Sequence, residues 1–152
     1  MDRIIISDTS CLIALSKIDK INLLKDLYHE VLITSEVYNE FGDSLPDWII
    51  ITEVQNKRKQ KELEKRLDKG EASSIALALE MDNSTLIIDE IKGRKLAQSL
   101  NIDIIGTIGL IILSEKKGLV LDVASLILKL VNKGFRLSDS LINKIIENYG
   151  RK

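Results

Sequence analysis

Two acids stand directly after runs of aliphatic residues, Asp8 after RIIIS and Asp89 after TLII. If both runs are parallel strands of one sheet, the two carboxylates meet at the same edge although they lie far apart in the chain. Either aspartate alone reads as the N-cap of a following helix, since its side chain can accept a free backbone N–H there. Glu71 is more telling, because positions 71, 74, 75 and 78 share a helical stripe whose other members are Ser74, Ile75 and Ala78. A first-turn glutamate gains about 0.3 to 1 kcal/mol from the helix dipole, which accounts for its turn but not for its apolar face. Glu40 shares a stripe with Glu36 and Val37, and spacing does not choose between the two glutamates. Carboxylates gathered without histidine or cysteine suit hard, oxygen-seeking cations, Mg2+ or Mn2+ above all. Without a cation they repel one another and some of their pKa values rise. A divalent cation held there lowers the pKa of a water and neutralises charge on a phosphodiester's leaving oxygen.

Composition narrows the alternatives. The single cysteine, Cys11, excludes an internal disulfide and cysteine-based zinc clusters, and the single histidine, His29, excludes two-histidine acid/base catalysis. A formal net charge of -1 in 152 residues excludes a globally basic nucleic-acid coat, so contacts with nucleic acid must come from a local patch. With 45% hydrophobic residues a single core is feasible, and the expectation is one domain over residues 1–152. No segment reaches the roughly 20 apolar residues that span a bilayer, and no leader pattern opens the chain. A soluble cytoplasmic protein without membrane contact is expected.

The elements that must position these acids can be read in order. Arg3–Ser7, Val31–Ile33, Thr85–Ile88 and Asp103–Ile105 read as short strands apolar throughout, and Ile49–Ile51 as an extended edge piece. Helical patterns cover a stretch from Ser10, then Ile21–Tyr28, Ser35–Phe41, Glu71–Met81, Ile91–Leu100, Thr107–Lys117, Val123–Val131 and Ser138–Tyr149, the last with Ser138 as N-cap. Lys57–Lys69 holds seven basic and three acidic residues with Leu63 and Leu67 four apart, which predicts a protruding amphipathic helix ended by Gly70. Strands alternating with helices predict an α/β fold, a three-layer α/β/α sandwich on a mainly parallel sheet. Ligands of such sheets bind outside the carboxyl ends of the strands.

The segments IIISDTSCLIALSKI, VLITSEVYNEFG, GEASSIALALE, LIIDEIKGRKLAQSL and IDIIGTIGLIILSEKKG, taken in this order, resemble the PIN-domain superfamily of metal-dependent ribonucleases and its small prokaryotic toxin-like members. The resemblance spans nearly the whole chain and implies a PIN-like fold. It also implies that the four acids of the site fall on Asp8, Glu40, Glu71 and Asp89, with Glu40 rather than Glu36 as the second. Glu71 departs from the pattern, because the toxin-like members commonly have aspartate there. The implied cofactor is Mg2+ or Mn2+ and the implied substrate RNA, cut by water to leave 5′-phosphate and 3′-hydroxyl ends. An antitoxin protein and a homodimer are the implied partners.

Four supporting readings accompany these acids. Ser10 either helps to hold a water at the site or caps the first helix. Thr107 reads first as a helix cap and second as a site hydroxyl. Lys92, Arg94 and Lys95 read as a solvated helix face, with Arg94 the one phosphate-binding candidate. Trp48, Phe135 and Arg136 read as packing and surface residues. A homodimer also follows if Ile21–Tyr28 and Leu45–Leu67 carry more apolar surface than the chain can cover. Other acid-after-strand folds fit poorly, since a dehalogenase-type phosphatase needs aspartate at position 10, a receiver domain an acidic pair after the first strand that Ile6, Ser7 and Asp8 do not provide, and a dinucleotide fold a glycine-rich first turn. The remaining rival is a PIN-shaped protein- or RNA-binding module without catalysis.

Overall fold

The computed structural model describes residues 3–149, so the two ends of the expected 1–152 domain lie outside the described residues. Five strands form the sheet: β1 (Ile4–Ser7), β2 (Val31–Ile33), β3 (Ile49–Ile51), β4 (Ser84–Ile87) and β5 (Asp103–Ile105). Their order is β3-β2-β1-β4-β5, and every neighbouring pair is parallel. The chain therefore winds outward one way through β2 and β3 and the other way through β4 and β5. The switch falls between β1 and β4, where Ser7 stands beside Ile87, and a crevice at such a switch is where open α/β sheets bind ligands.

The helices are α1 (Thr9–Lys17), α2 (Asn22–Tyr28), α3 (Ser35–Phe41), α4 (Lys57–Leu63), α5 (Lys69–Glu80), α6 (Ile91–Ser99), α7 (Thr107–Lys116), α8 (Val123–Asn132) and α9 (Asp139–Tyr149). Alternation along each strand sends side chains to opposite faces and divides the core in two. Ile5 and Ile87 join Leu12, Leu15, Leu24, Leu110 and Ile127 on one face. Ile6, Leu86 and Ile88 join Ile75, Leu77, Leu63 and Ala97 on the other. The result is the expected α/β/α sandwich, with the sheet wholly parallel. Ser138 caps α9 as read, its hydroxyl accepting from the N–H of Leu141 at 3.1 Å. Among the described residues no helix is long and apolar enough to cross a membrane.

Three expectations need correction. The charged stretch is not one protruding helix: α4 ends at Leu63, and Gln60, Leu63 and Leu67 are buried, with both leucines in the core beneath α5. Gly70 does not break the pattern but sits in the first turn of α5, which Asp68 starts by accepting from the N–H of Glu71 at 2.9 Å. A Cβ on Gly70 would lie 2.8 Å from the Glu40 carboxyl carbon, so the glycine makes room for that acid. The apolar excess expected of Ile21–Tyr28 and Leu45–Leu67 is also mostly absent. Leu23, Leu24, Ile49, Val54, Leu63 and Leu67 are buried within the chain itself, and of these segments only Ile50 and Ile51 on β3 are exposed large hydrophobics.

Candidate active site

Parallel pairing of β1 with β4 brings Asp8 and Asp89 side by side at the carboxyl edge. Asp8 continues β1 in extended conformation and caps α1, its Oδ1 accepting from the N–H of Cys11 at 3.0 Å. Its other oxygen accepts from the backbone N–H of Asp89 at 3.2 Å. The cap reading and the site reading of Asp8 thus hold together, since one oxygen serves the helix and the other faces Asp89. Asp8 is 2% exposed. Burial first, then the charge of Asp89 and more weakly that of Glu71, pushes its carboxyl up to about 8. The sequence predicts repulsion as the cause; desolvation outranks it because Asp8 is almost wholly buried.

Asp89 is half-buried and aligned by three donors. The N–H and hydroxyl of Thr107 donate to Oδ1 at 2.7 Å and Oδ2 at 2.6 Å, and the Ser10 hydroxyl donates to Oδ2 at 3.3 Å. The cap readings of Ser10 and Thr107 both give way. Asp8 already caps α1, Gly106 occupies the N-cap of α7 without a side-chain bond, and the hydroxyls of Ser10 and Thr107 turn to Asp89 instead.

The other two acids flank the N-terminus of α5. Glu40 accepts from the Thr9 hydroxyl at 2.6 Å and from the N–H of Gly70 at 3.0 Å. Glu36 is engaged elsewhere, accepting from Gln60 Nε2 at 2.5 Å. Glu71 is half-buried in the first turn of α5. Burial, followed by the charges of Asp68, Glu90 and Glu40, pushes it up to about 7. Sequence reasoning passed over Thr9, Asp68 and Glu90, although Asp68 and Glu71 stand three apart in the pattern of a capped helix start.

Arg94 does not reach an ion pair with Asp89; among the described residues the ion pairs are Arg3–Asp103 and Lys59–Glu62. Its guanidinium donates to the Ile88 carbonyl at 2.9 Å, and both it and Asp89 crowd Gly106, whose Cβ would stand 2.8 Å from Arg94 Nη1 and 3.0 Å from Asp89 Oδ1. Lys92 and Lys95 are exposed. The Cys11 thiol is buried and pushed up, first by burial and then by Asp8, which leaves it unreactive.

Among the described residues, no three histidine, cysteine, aspartate or glutamate side chains converge tightly enough to form a metal cage. Asp8 and Asp89 make an adjacent pair, while Glu40 is held at Thr9 and Gly70. The donor chemistry nevertheless suits a hard divalent cation, because all four groups are carboxylates and two of them, Asp8 and Glu71, are pushed up by burial and neighbouring negative charge that a cation would offset.

A family model described as DUF3368: PIN domain matches residues 4–151. No curated protein matches the chain, nor does any solved structure.

Proposed function

The chain belongs to the PIN-domain family, and from that premise we propose that it is a metal-dependent endoribonuclease in which Asp8, Glu40, Glu71 and Asp89 would hold Mg2+ or Mn2+. The observation that carries this reading is the Asp8–Asp89 pair at the β1/β4 switch, with Asp8 buried and pushed up to about 8. Burying a carboxylate beside another opposes folding unless a charge partner arrives, and among the described residues no cationic side chain pairs with either acid. A bound divalent cation supplies charge neutralisation and acidifies water for attack on phosphorus. The chain's own residues prepare for that role. Thr107 and Ser10 fix the orientation of Asp89, Thr9 and the Gly70 N–H fix Glu40, and Arg94, which crowds Gly106 together with Asp89, would meet a phosphate oxygen.

Within this reading the protein works in the cytoplasm as a homodimer and as the toxin of a toxin–antitoxin pair, the antitoxin being its protein partner. A second reading, a catalytically silent PIN-shaped module that binds RNA or protein, draws on the lack of a closed metal cage among the described residues. Cleavage of single-stranded RNA separates the two. The nuclease reading expects Mn2+-dependent cuts bearing 5′-phosphate and 3′-hydroxyl ends, abolished by EDTA and by Asp8→Asn. Cleavage untouched by either would refute the metal mechanism, and no cleavage with any divalent cation would leave the binding module in its place.

A further inference from the structure

A groove of about 590 Å3 runs away from the carboxylates. One wall is a single face of α1, where Ser10, Ile13, Ala14 and Lys17 follow the spacing of neighbours on a helix. The near end is acidic, with Asp89 receiving the Ser10 hydroxyl and Glu90 beside it. The far end is basic and aromatic, formed by Lys17, Lys133, Phe135 and Arg136. That end is built by the turn after α8. Gly134 has φ 101, in the left-handed region, and the N–H of Phe135 donates to the Leu130 carbonyl at 2.9 Å, folding the chain back along the groove. Lys17 Nζ donates to the Lys133 carbonyl at 3.4 Å, which ties α1 to that turn. Phe135 packs against the core yet still lines the groove.

Charge polarity decides what such a groove can hold. The three cations have no acidic partner among the described ion pairs, so the far end attracts a polyanion while the near end admits one only where a phosphate meets a cation. Ser10 and Lys17 stand seven helical steps apart on α1, about 10 Å at 1.5 Å per residue, so one short strand can touch both ends. We propose that this groove is the track that holds single-stranded RNA on one side of the bond to be cut, with Lys17, Lys133 and Arg136 taking backbone phosphates and Phe135 taking a base by stacking. The proposal rests on the nuclease reading for the position of that bond, but not for the binding itself.

The test measures anisotropy of a fluorescein-labelled eight-nucleotide single-stranded RNA in EDTA, where no cleavage occurs. Lys133→Glu/Arg136→Glu is expected to weaken binding at least tenfold and to reduce the slope of log affinity against log salt by about 1.4, roughly 0.7 for each cation lost. Phe135→Leu keeps an apolar side chain in the core and should weaken binding severalfold with the slope unchanged. Lys61→Glu/Lys65→Glu, on the charged segment away from the groove, should bind as wild type. Melting curves establish that each variant is folded. Wild-type affinity in both groove variants, or equal loss in the control, overturns the track. Mn2+-dependent hydrolysis of bis(p-nitrophenyl) phosphate, too small to span the groove, separates the two claims. If wild type hydrolyses the diester while groove variants bind RNA normally, the track fails and the nuclease stands. If wild type hydrolyses neither substrate while groove variants lose RNA, the nuclease fails and the track stands.

Discussion

Replacing Asp8 by asparagine should stabilise the metal-free protein, and by more as pH rises. Asp8 has an ordinary pKa of 3.8 and is pushed up to about 8 in the fold. The folded state therefore keeps a proton that the unfolded chain has lost, so wild-type stability falls as pH climbs from near 3.8 and levels off above about 8. At pH 7 the gap is roughly three pH units at about 1.36 kcal/mol each, a penalty on the order of 4 kcal/mol. Asparagine abolishes the titration but offers one acceptor where Asp8 serves the N–H groups of both Cys11 and Asp89, and an unmet donor costs about 1–3 kcal/mol. The net gain at pH 7 is about 2 kcal/mol, or about 5 °C in melting temperature for a chain this size. Near pH 4 the gain should vanish or reverse. Circular dichroism melts in EDTA across pH 4 to 8 measure the difference. A constant offset between the two proteins, or a variant that loses ground as pH rises, would refute the burial-and-repulsion account of Asp8.

Thr107→Val deletes the hydroxyl that donates to Asp89; the Mn2+ concentration needed for half-maximal RNA cleavage should rise about 10- to 100-fold, and an unchanged requirement would detach Thr107 from the site. Gly70→Ala puts a methyl where the Glu40 carboxyl lies. Since the far end of Glu40 can swing aside and alanine favours helix by about 1 kcal/mol, the melting temperature should hold while Mn2+-dependent cleavage falls, and full activity would count against Glu40. His29→Ala should leave cleavage rates unchanged at every pH, because His29 caps the end of α2 and no proton transfer is assigned to it; a lost pH limb in the rate profile would reject that.

The strand runs and the two aspartates behind them were legible because a strand buried on both faces carries an unbroken aliphatic signature, and parallel pairing then dictates that their ends meet. The order β3-β2-β1-β4-β5, and with it the switch point, is a long-range property that no local pattern encodes. Gly70 misled for a physical reason: glycine usually marks backbone freedom, whereas here it marks close approach of Glu40 from another helix. Ser10 and Thr107 misled in the opposite sense. A hydroxyl next to a strand end favours capping statistically, but Asp8 and Gly106 already hold the caps, which frees both hydroxyls for Asp89. The groove beyond Ser10 was invisible because it joins α1 to a turn after α8, far along the chain. Phe135 and Arg136 accordingly read as packing and surface residues.

The claim that the four acids form one metal site is tested most directly by anomalous diffraction from crystals of the wild-type protein soaked in Mn2+. One or two manganese peaks within coordination distance of Asp8 and Asp89, with Glu40 or Glu71 drawn toward the same metal, are expected, together with their loss in Asp8→Asn crystals. Manganese absent from the β1/β4 switch at saturating concentration, or bound there equally well without the Asp8 carboxylate, would contradict it.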